Sequence, residues 1–398
     1  MNRPSGSAPG SLAAKDVRRA RVVVVGAGAI GLAVALQLRR AGVDGVVVVD
    51  RNASVGMGST SRANGGVRAQ FTTSVNIAFS QFTIEKLRQL HETASAQVGF
   101  QAVGYLFLTG TDAGEIALRR SRELQRSLGL DVRWLSAREV IDIAPFIRVD
   151  GLSAATFCAD DGIIDPHGVA SALWTACRRL ETTFLLDTEV LEVTGGSPAR
   201  VRTSSGDIET EFVVNAAGPF AHELAARAGI DLPVVSRRRN LACTEAVAGF
   251  PAAIPMCVDN DTGVLIRREG AGFLIGFSDP ADPPSMETAF DPAFLDAVAA
   301  RIGNRFPFLE NAPISPRKCW AGLYPETPDH HAIIDSTPGA PWFIQCVGFG
   351  GHGIMHSFAA GQAVTELITD GRCTSFDIHP LRLSRFSEPG AVVETAVL

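Results

Sequence analysis

Three groups of residues in this sequence have types and spacings that could do chemistry. The first is Gly26, Gly28 and Gly31, spaced GxGxxG, followed about 20 residues on by Asp50. Gly26 permits a tight turn, Gly28 lets the backbone approach a pyrophosphate, and Gly31 lets a helix pack closely on a strand. The pyrophosphate would rest on the free N–H groups of that helix's first turn. Asp50 can accept hydrogen bonds from a ribose diol and would repel a 2′-phosphate. The motif alone does not separate NAD from FAD. The second group lies in the Gly-rich loop at 51–71 (RNASVGMGSTSRANGGVRAQF). There Ser59, Thr60 and Asn64 offer hydroxyl and amide groups, and Arg62 and Arg68 offer guanidinium groups. A long loop of this kind directly after a dinucleotide unit is expected to wrap a ligand. The third group is a second glycine-rich turn, Gly350, Gly351 and Gly353 with His352 between them. It follows a buried apolar run and opens a helix near the C-terminus, where the helix dipole favours negative charge.

The elements that must hold these groups follow from the pattern of apolar residues. Residues 22–25 are a continuous valine run, as expected for a strand buried on both faces. Residues 32–40 have helix-forming composition, with Gly42 to stop the helix, and 46–49 are a second valine strand ending at Asp50. Strand, glycines, helix, strand and acid fall in register, which is what distinguishes a dinucleotide cradle from a chance glycine turn. Further helices are expected at 74–98, 114–128, 136–143, 166–180, 219–228, within 283–302, and at 353–369. Strands are expected at 105–108, 131–134, 184–192, 212–219 (ending in a glycine turn), 241–245, 263–267, 273–276, 313–324, 329–335 and 343–347. A small hairpin is expected at 200–203 and 207–211. The expected nucleotide domain is therefore discontinuous, at 21–95, 165–230 and 330–380, and a substrate domain is built from 96–164 and 231–329. Residues 1–20 are expected to be a disordered lead-in, without the apolar stretch of a secretory signal.

The chain has 398 residues, 46% hydrophobic and 20% charged, with net charge −6. This suits a large-cored globular protein and disfavours a nucleic-acid surface. No apolar run approaches the roughly 18 residues of a membrane span. Seven cysteines without a CxxC pair indicate neither a disulfide framework nor a metal site, and a reducing cytoplasm is the expected compartment. His330 and His331, adjacent on an expected strand, would point to opposite faces and should not share a metal. Arg237, Arg238 and Arg239 read as a solvated edge before a strand, and Asp160-Asp161 as a turn.

Three stretches together carry a family resemblance: GAGAIG at 26–31, GSTSRANGGVRAQF at 58–71, and GLYPETPDHHAIID at 322–335 with VGFGGHGIMHSFAAGQA at 347–363. The chain resembles the D-amino-acid oxidase and sarcosine oxidase superfamily of FAD-dependent oxidoreductases, on the branch of sarcosine oxidase and L-proline dehydrogenase β subunits. The resemblance implies an α/β fold: a Rossmann-like FAD-binding domain with an interleaved α+β substrate domain on a mainly antiparallel sheet. It implies FAD rather than NAD. Gly26, Ala27, Gly28, Ala29, Ile30 and Gly31 would hold its pyrophosphate, and Asp50 with Arg51 the adenosine ribose. Val190 would contact the adenine through its backbone, and Ala217 and Gly218 would form a turn beside the cofactor. Ser59, Thr60, Arg62, Asn64, Gly65 and Gly66 would run beneath the flavin. Gly350, Gly351, His352, Gly353 and Ile354 would approach the ring and stabilise its reduced form.

Arg68 aligns with an arginine that clamps a substrate carboxylate, and Tyr324 with an active-site tyrosine. Gly322 stands where monomeric sarcosine oxidase attaches FAD through cysteine, so non-covalent FAD is expected. Met355 and Leu274 stand where that enzyme has lysines for the substrate carboxylate and for oxygen. The implied reaction is oxidation of an amine or amino acid to an imine, by hydride transfer to flavin N5. O2 or another acceptor would reoxidise the flavin, and a partner subunit is an expected arrangement on this branch. Oxidation of a 2-hydroxy acid, with His352 as base, is the alternative chemistry. A flavin-binding subunit or assembly factor with little activity alone is the alternative role.

Overall fold

The computed structural model describes residues 17–94, 98–390 and 392–396. Most of the expected lead-in, and the end of the helix expected at 74–98, lie outside the described residues. The first unit is β1 (Arg19–Val25), α1 (Ala29–Arg40) and β2 (Val46–Val49). Its valines alternate between two cores. Val22, Val24, Val46 and Val48 pack on one face with α1 and the helix Gly353–Thr369. Val23, Val25, Val47 and Val49 pack on the other with Leu185, Val193 and Phe343. A strand buried on both faces needs apolar residues at every position, which is why the run is unbroken. Each such side chain contributes roughly 1.5–3 kcal/mol relative to exposure.

These strands belong to an eight-stranded sheet ordered Ile333–Ser336, Phe343–Val347, Gly206–Asn215, β1, β2, Thr183–Leu185, extended by Ala199–Thr203 and Val190–Thr194. Pairing is parallel through its centre and antiparallel at Ile333–Ser336 and in the extension. A second eight-stranded sheet takes strands from 105–158 and 235–326. Its order is Trp320–Glu326, Val235–Cys243, Gly272–Gly276, Leu265–Glu269, Met256–Asp259, Tyr105–Thr109, Ala154–Cys158, Val132–Leu135. It is antiparallel except where Met256–Asp259 runs parallel to Tyr105–Thr109. One face packs Leu106, Ile266 and Phe273 against the helix Phe294–Ile302, and the other carries Tyr105, Phe107 and Met256. The fold is the mixed α/β architecture expected, with a Rossmann-like first sheet.

Several expected elements differ. β1 starts at Arg19, inside the expected lead-in, because Arg19 pairs with Glu209 across the sheet at 3.1 Å. The hairpin strand at 207–211 and the strand at 212–219 are one element, Gly206–Asn215, followed by a 3-10 turn at Gly218–Phe220. The strand expected at 313–324 is Trp320–Glu326; Pro316 sits instead in a 3-10 turn, having no N–H for a ladder. His330 has φ +59° and precedes the strand Ile333–Ser336, so the alternation argument for His330 and His331 does not apply. His331 is buried, with Nε2 3.1 Å from the Thr73 hydroxyl. Arg237–Arg239 are not a solvated edge: they lie within Val235–Cys243, a strand paired on both sides. Arg239 is buried by Glu326 at 3.1 Å and Asp282 at 2.5 Å.

Candidate active site

The C-terminal ends of β1 and β2 open onto a cleft enclosing about 1540 Å³, part of it open to solvent. The glycine turn forms one end. Gly26 has φ +112°, and a Cβ there would lie 2.3 Å from the Ala216 carbonyl oxygen. A Cβ on Gly31 would lie 1.9 Å from the Gly26 carbonyl oxygen, so only glycine lets α1 start this close to the turn. Gly28 faces the cleft and is restricted only by the Thr60 hydroxyl. The first N–H groups of α1 have no intrahelical acceptor. The Ala29 N–H is taken by Thr60 Oγ1 at 3.0 Å, and a helix start of this kind favours an anion. Asp50 closes this end, accepting from the Ala27 N–H at 2.7 Å and from the Asn52 N–H at 2.8 Å.

Of the residues singled out from sequence, Gly26, Gly28, Ala29, Ile30, Asp50, Arg51, Ser59, Thr60, Arg62, Asn64, Gly65 and Gly66 line the cleft. So do Val190, Ala217, Gly218, Gly322, Tyr324, Gly350, Gly351, Gly353 and Ile354. Four do not. Ala27 and Gly31 lie beneath the glycine turn. Arg68 is 3% exposed, its Nη1 donating to the Gln70 carbonyl and its Nη2 to the Ala396 carbonyl. Its guanidinium lies 4.0 Å from the Phe71 ring centre. His352 points away from the cleft, with Nε2 3.2 Å from the His330 carbonyl and Nδ1 3.2 Å from His356 Nδ1. Burial lowers its pKa to about 4. A base for a substrate hydroxyl needs reach to that hydroxyl, and the role expected for His352 has no support in this geometry.

The loop at 58–66 is tied to the second sheet by its own polar groups. Ser59 Oγ donates to the Leu323 carbonyl at 2.7 Å, and Arg62 to the Ala321 carbonyl at 2.8 Å. Asn64 Oδ1 accepts from the Gly66 N–H at 2.7 Å. These side chains therefore shape the loop as well as facing the cleft. Tyr324 stands over Gly351, where a Cβ would lie 2.5 Å from its ring. Gly322 packs on Arg62. Cys319 is hydrogen-bonded to the Cys243 N–H at 3.4 Å. The cleft cysteine is Cys346, whose thiol pKa burial pushes up.

Sequence reasoning missed several neighbours. Phe220 stacks on Arg51, 3.5 Å from ring centre to guanidinium carbon, and Arg227 donates to the Val190 carbonyl. Asp161, read as a turn residue, is fully buried and accepts from the Ala69 N–H at 2.7 Å and Gln70 Nε2 at 2.9 Å. Tyr105 is also buried, its hydroxyl against Gly66. Low tyrosine content, two in the chain, was the signal that could have drawn attention to it.

The fold and cleft define a dinucleotide-binding oxidoreductase in which a glycine-lined cradle joins a Rossmann-like sheet to a second, antiparallel one. The chain belongs to the DAO family of FAD dependent oxidoreductases, whose model matches residues 21–367. FAD is its cofactor, and the cradle fits it: glycines stand where a Cβ would collide or would face the cleft, and free N–H groups meet an acidic residue. The chain is 28% identical over 417 residues to FAD-dependent oxidoreductase domain-containing protein 1 from Bos taurus, covering 92% of this chain and 85% of that one. It is 25% identical to glycine oxidase from Geobacillus kaustophilus, covering 92% and 96%. L-proline dehydrogenase from P. horikoshii superimposes with a TM-score of 0.87 at 27% identity, covering 93% of this chain and 98% of that one. The family relatives thus include amino-acid oxidases and dehydrogenases.

Proposed function

We propose that this protein oxidises the C–N bond of a small, carboxylate-bearing amine or amino acid to an imine that water then hydrolyses. The observation that supports this reading most is the continuity of the cleft. It runs from the Gly26–Asp50 cradle, past the 58–66 loop, to Tyr324 and the 350–354 turn. Bound FAD would supply the hydride acceptor. The chain's own residues would orient and exclude water. Gly26 to Gly31 and Asp50 would hold the dinucleotide without a covalent bond. The N-terminus of Gly353–Thr369 would favour negative charge developing nearby. Tyr324 would line the substrate pocket, and Arg68 would hold the carboxylate.

The acceptor of the electrons is proposed to be something other than O2. Leu274, aligned with an oxygen-promoting lysine, is fully buried beside Leu241 and Cys243, and Met355 contributes no cation to the cleft. The described cysteines are free, which fits a reducing compartment such as the cytoplasm. Among the described residues no helix is long and apolar enough to cross a membrane.

The test is steady-state turnover of secondary amines, amino acids and 2-hydroxy acids, with an artificial dye or O2 as acceptor. The proposal requires turnover of an amine with the dye in excess of that with O2. Turnover of 2-hydroxy acids alone would overturn it.

A further inference from the structure

Gly350, Gly351 and Gly353 line the cleft, but the side chain between them turns the other way. His352 is 5% exposed, and His356, one turn further along the helix Gly353–Thr369, is 1% exposed. Aromatic rings enclose the pair. Phe71 lies 5.6 Å from His352 and 5.1 Å from His356, centre to centre, and Phe79 lies 5.8 Å from His356. An apolar interior of this kind needs no imidazole for packing, so the four ring nitrogens have to be accounted for.

The partners assign the protons. Burial holds both rings neutral, pushing His352 to about 4 and His356 well below its ordinary value. Arg68 and His331 act in the same direction, while Glu394 and the carbonyls of His330 and Asn76 oppose them. A neutral imidazole carries one N–H. His352 Nε2 meets the His330 carbonyl at 3.2 Å, and a carbonyl only accepts, so this nitrogen carries the proton. His352 Nδ1 is then a bare acceptor. The group facing it at 3.2 Å is His356 Nδ1, which must donate. His356 Nε2 is left bare, and among the described residues it has no hydrogen-bond partner. With two protons to place, this arrangement satisfies both contacts.

The same contacts tie the glycine turn down from behind. His356 holds His352 at the start of the helix, and His352 holds the His330 carbonyl, in the connection between Trp320–Glu326 and Ile333–Ser336. Phe349, just before the turn, is bridged to Glu326. The turn is thereby fixed to a strand of each sheet. We infer that His356 is a positioning residue for the cofactor: by donating to His352 Nδ1 it locks His352 on the His330 carbonyl, and so fixes the 350–353 turn against bound FAD. The inference rests on FAD occupying the cleft and not on the identity of the substrate. A fixed helix start favours the reduced, more negative flavin over the oxidised one, because its dipoles need no rearrangement as charge develops.

The test compares the wild type with His356→Phe, which keeps a ring and loses the donor, and His356→Asn, which keeps an N–H donor near the place of Nδ1. Each FAD-loaded protein is equilibrated anaerobically with a redox dye, which gives the ratio of its affinities for reduced and oxidised FAD. His356→Phe should shift that ratio about tenfold toward the oxidised form, the size of one lost hydrogen bond, and His356→Asn should restore most of it. A packing role requires the opposite order, so any result in which His356→Asn does no better than His356→Phe would overturn the inference. The unmodified chain serves if the variants do not fold. With histidine labelled by 15N, the FAD-loaded protein should show one scalar coupling between two imidazole Nδ1 atoms across an N–H···N hydrogen bond. Absence of that coupling would overturn the proton assignment and the inference with it. A wild type that takes up no FAD would instead overturn the reading on which the inference rests.

Discussion

Arg68 illustrates how a residue can be found from sequence while its setting cannot. Its position in the GGVR segment pointed to it, but the Ala396 carbonyl that meets its fork comes from the far end of the chain. Charge-assisted hydrogen bonds are worth roughly 1.5–3 kcal/mol. Arg68→Lys keeps the charge and loses the planar fork. It should lower kcat/KM for a carboxylate substrate by about 10- to 100-fold, and much less for the decarboxylated amine. Equal losses for both would separate Arg68 from carboxylate recognition.

Asp161 makes a second prediction at this scale. Burial raises its carboxyl to about 6, against the lowering effect of hydrogen bonds from Ala69 and Gln70. The unfolded chain releases this proton near pH 4, the folded chain near 6. The contribution to stability is therefore fully present below about pH 4 and is lost as pH rises through about 6. Asp161→Asn removes the titration. The melting temperature of the variant minus that of the wild type should rise between pH 4 and pH 7; a difference constant with pH would contradict this assignment. A DD pair before glycine reads as a turn because burial at Asp161 comes from Ala69 and Gln70, about ninety residues away.

At the scale of elements, periodicity placed the two valine strands and the helices around them, because a strand buried on both faces and a helix with a defined stop write themselves locally. It failed where partners are remote. Arg237 and Arg239 sit on a strand paired on both sides because Glu326 and Asp282 neutralise them there, the first from the neighbouring strand and the second from a loop. A run of three arginines gives no sign of either. The segment 392–396 is a similar case. Glu394 is fully buried and clasps the start of the helix Ser74–Ala94 through Thr72, Thr73 and Asn76. Glu394→Ala leaves those donors without an acceptor and should cost about 1–3 kcal/mol, read as a lower urea midpoint at unchanged slope. A midpoint equal to the wild type would show that the segment contributes nothing to the fold.

Across the whole molecule, the two sheets contribute opposite walls of one cleft. The nucleotide end was legible because its glycines and Asp50 belong to one continuous stretch. The far end was only partly legible, since it gathers the 58–66 loop, Tyr324 and the 350–354 turn from separate parts of the chain. Because the cleft spans both sheets, ligand binding there should stabilise the whole fold. Free FAD at about 100 times its Kd contributes about 2.7 kcal/mol. Protein stripped of flavin should melt several degrees lower than the same protein with FAD restored. Gly26→Val puts side-chain atoms against the Ala216 carbonyl, and should abolish the gain.

The central claim, that an amine is oxidised at this cleft, is tested most directly by the visible spectrum of the purified protein under anaerobic conditions. An oxidised-flavin band should be present and should bleach on addition of a carboxylate-bearing amine or amino acid, while 2-hydroxy acids leave it unchanged. A band bleached only by 2-hydroxy acids, or no flavin band even after FAD is supplied, would contradict the account.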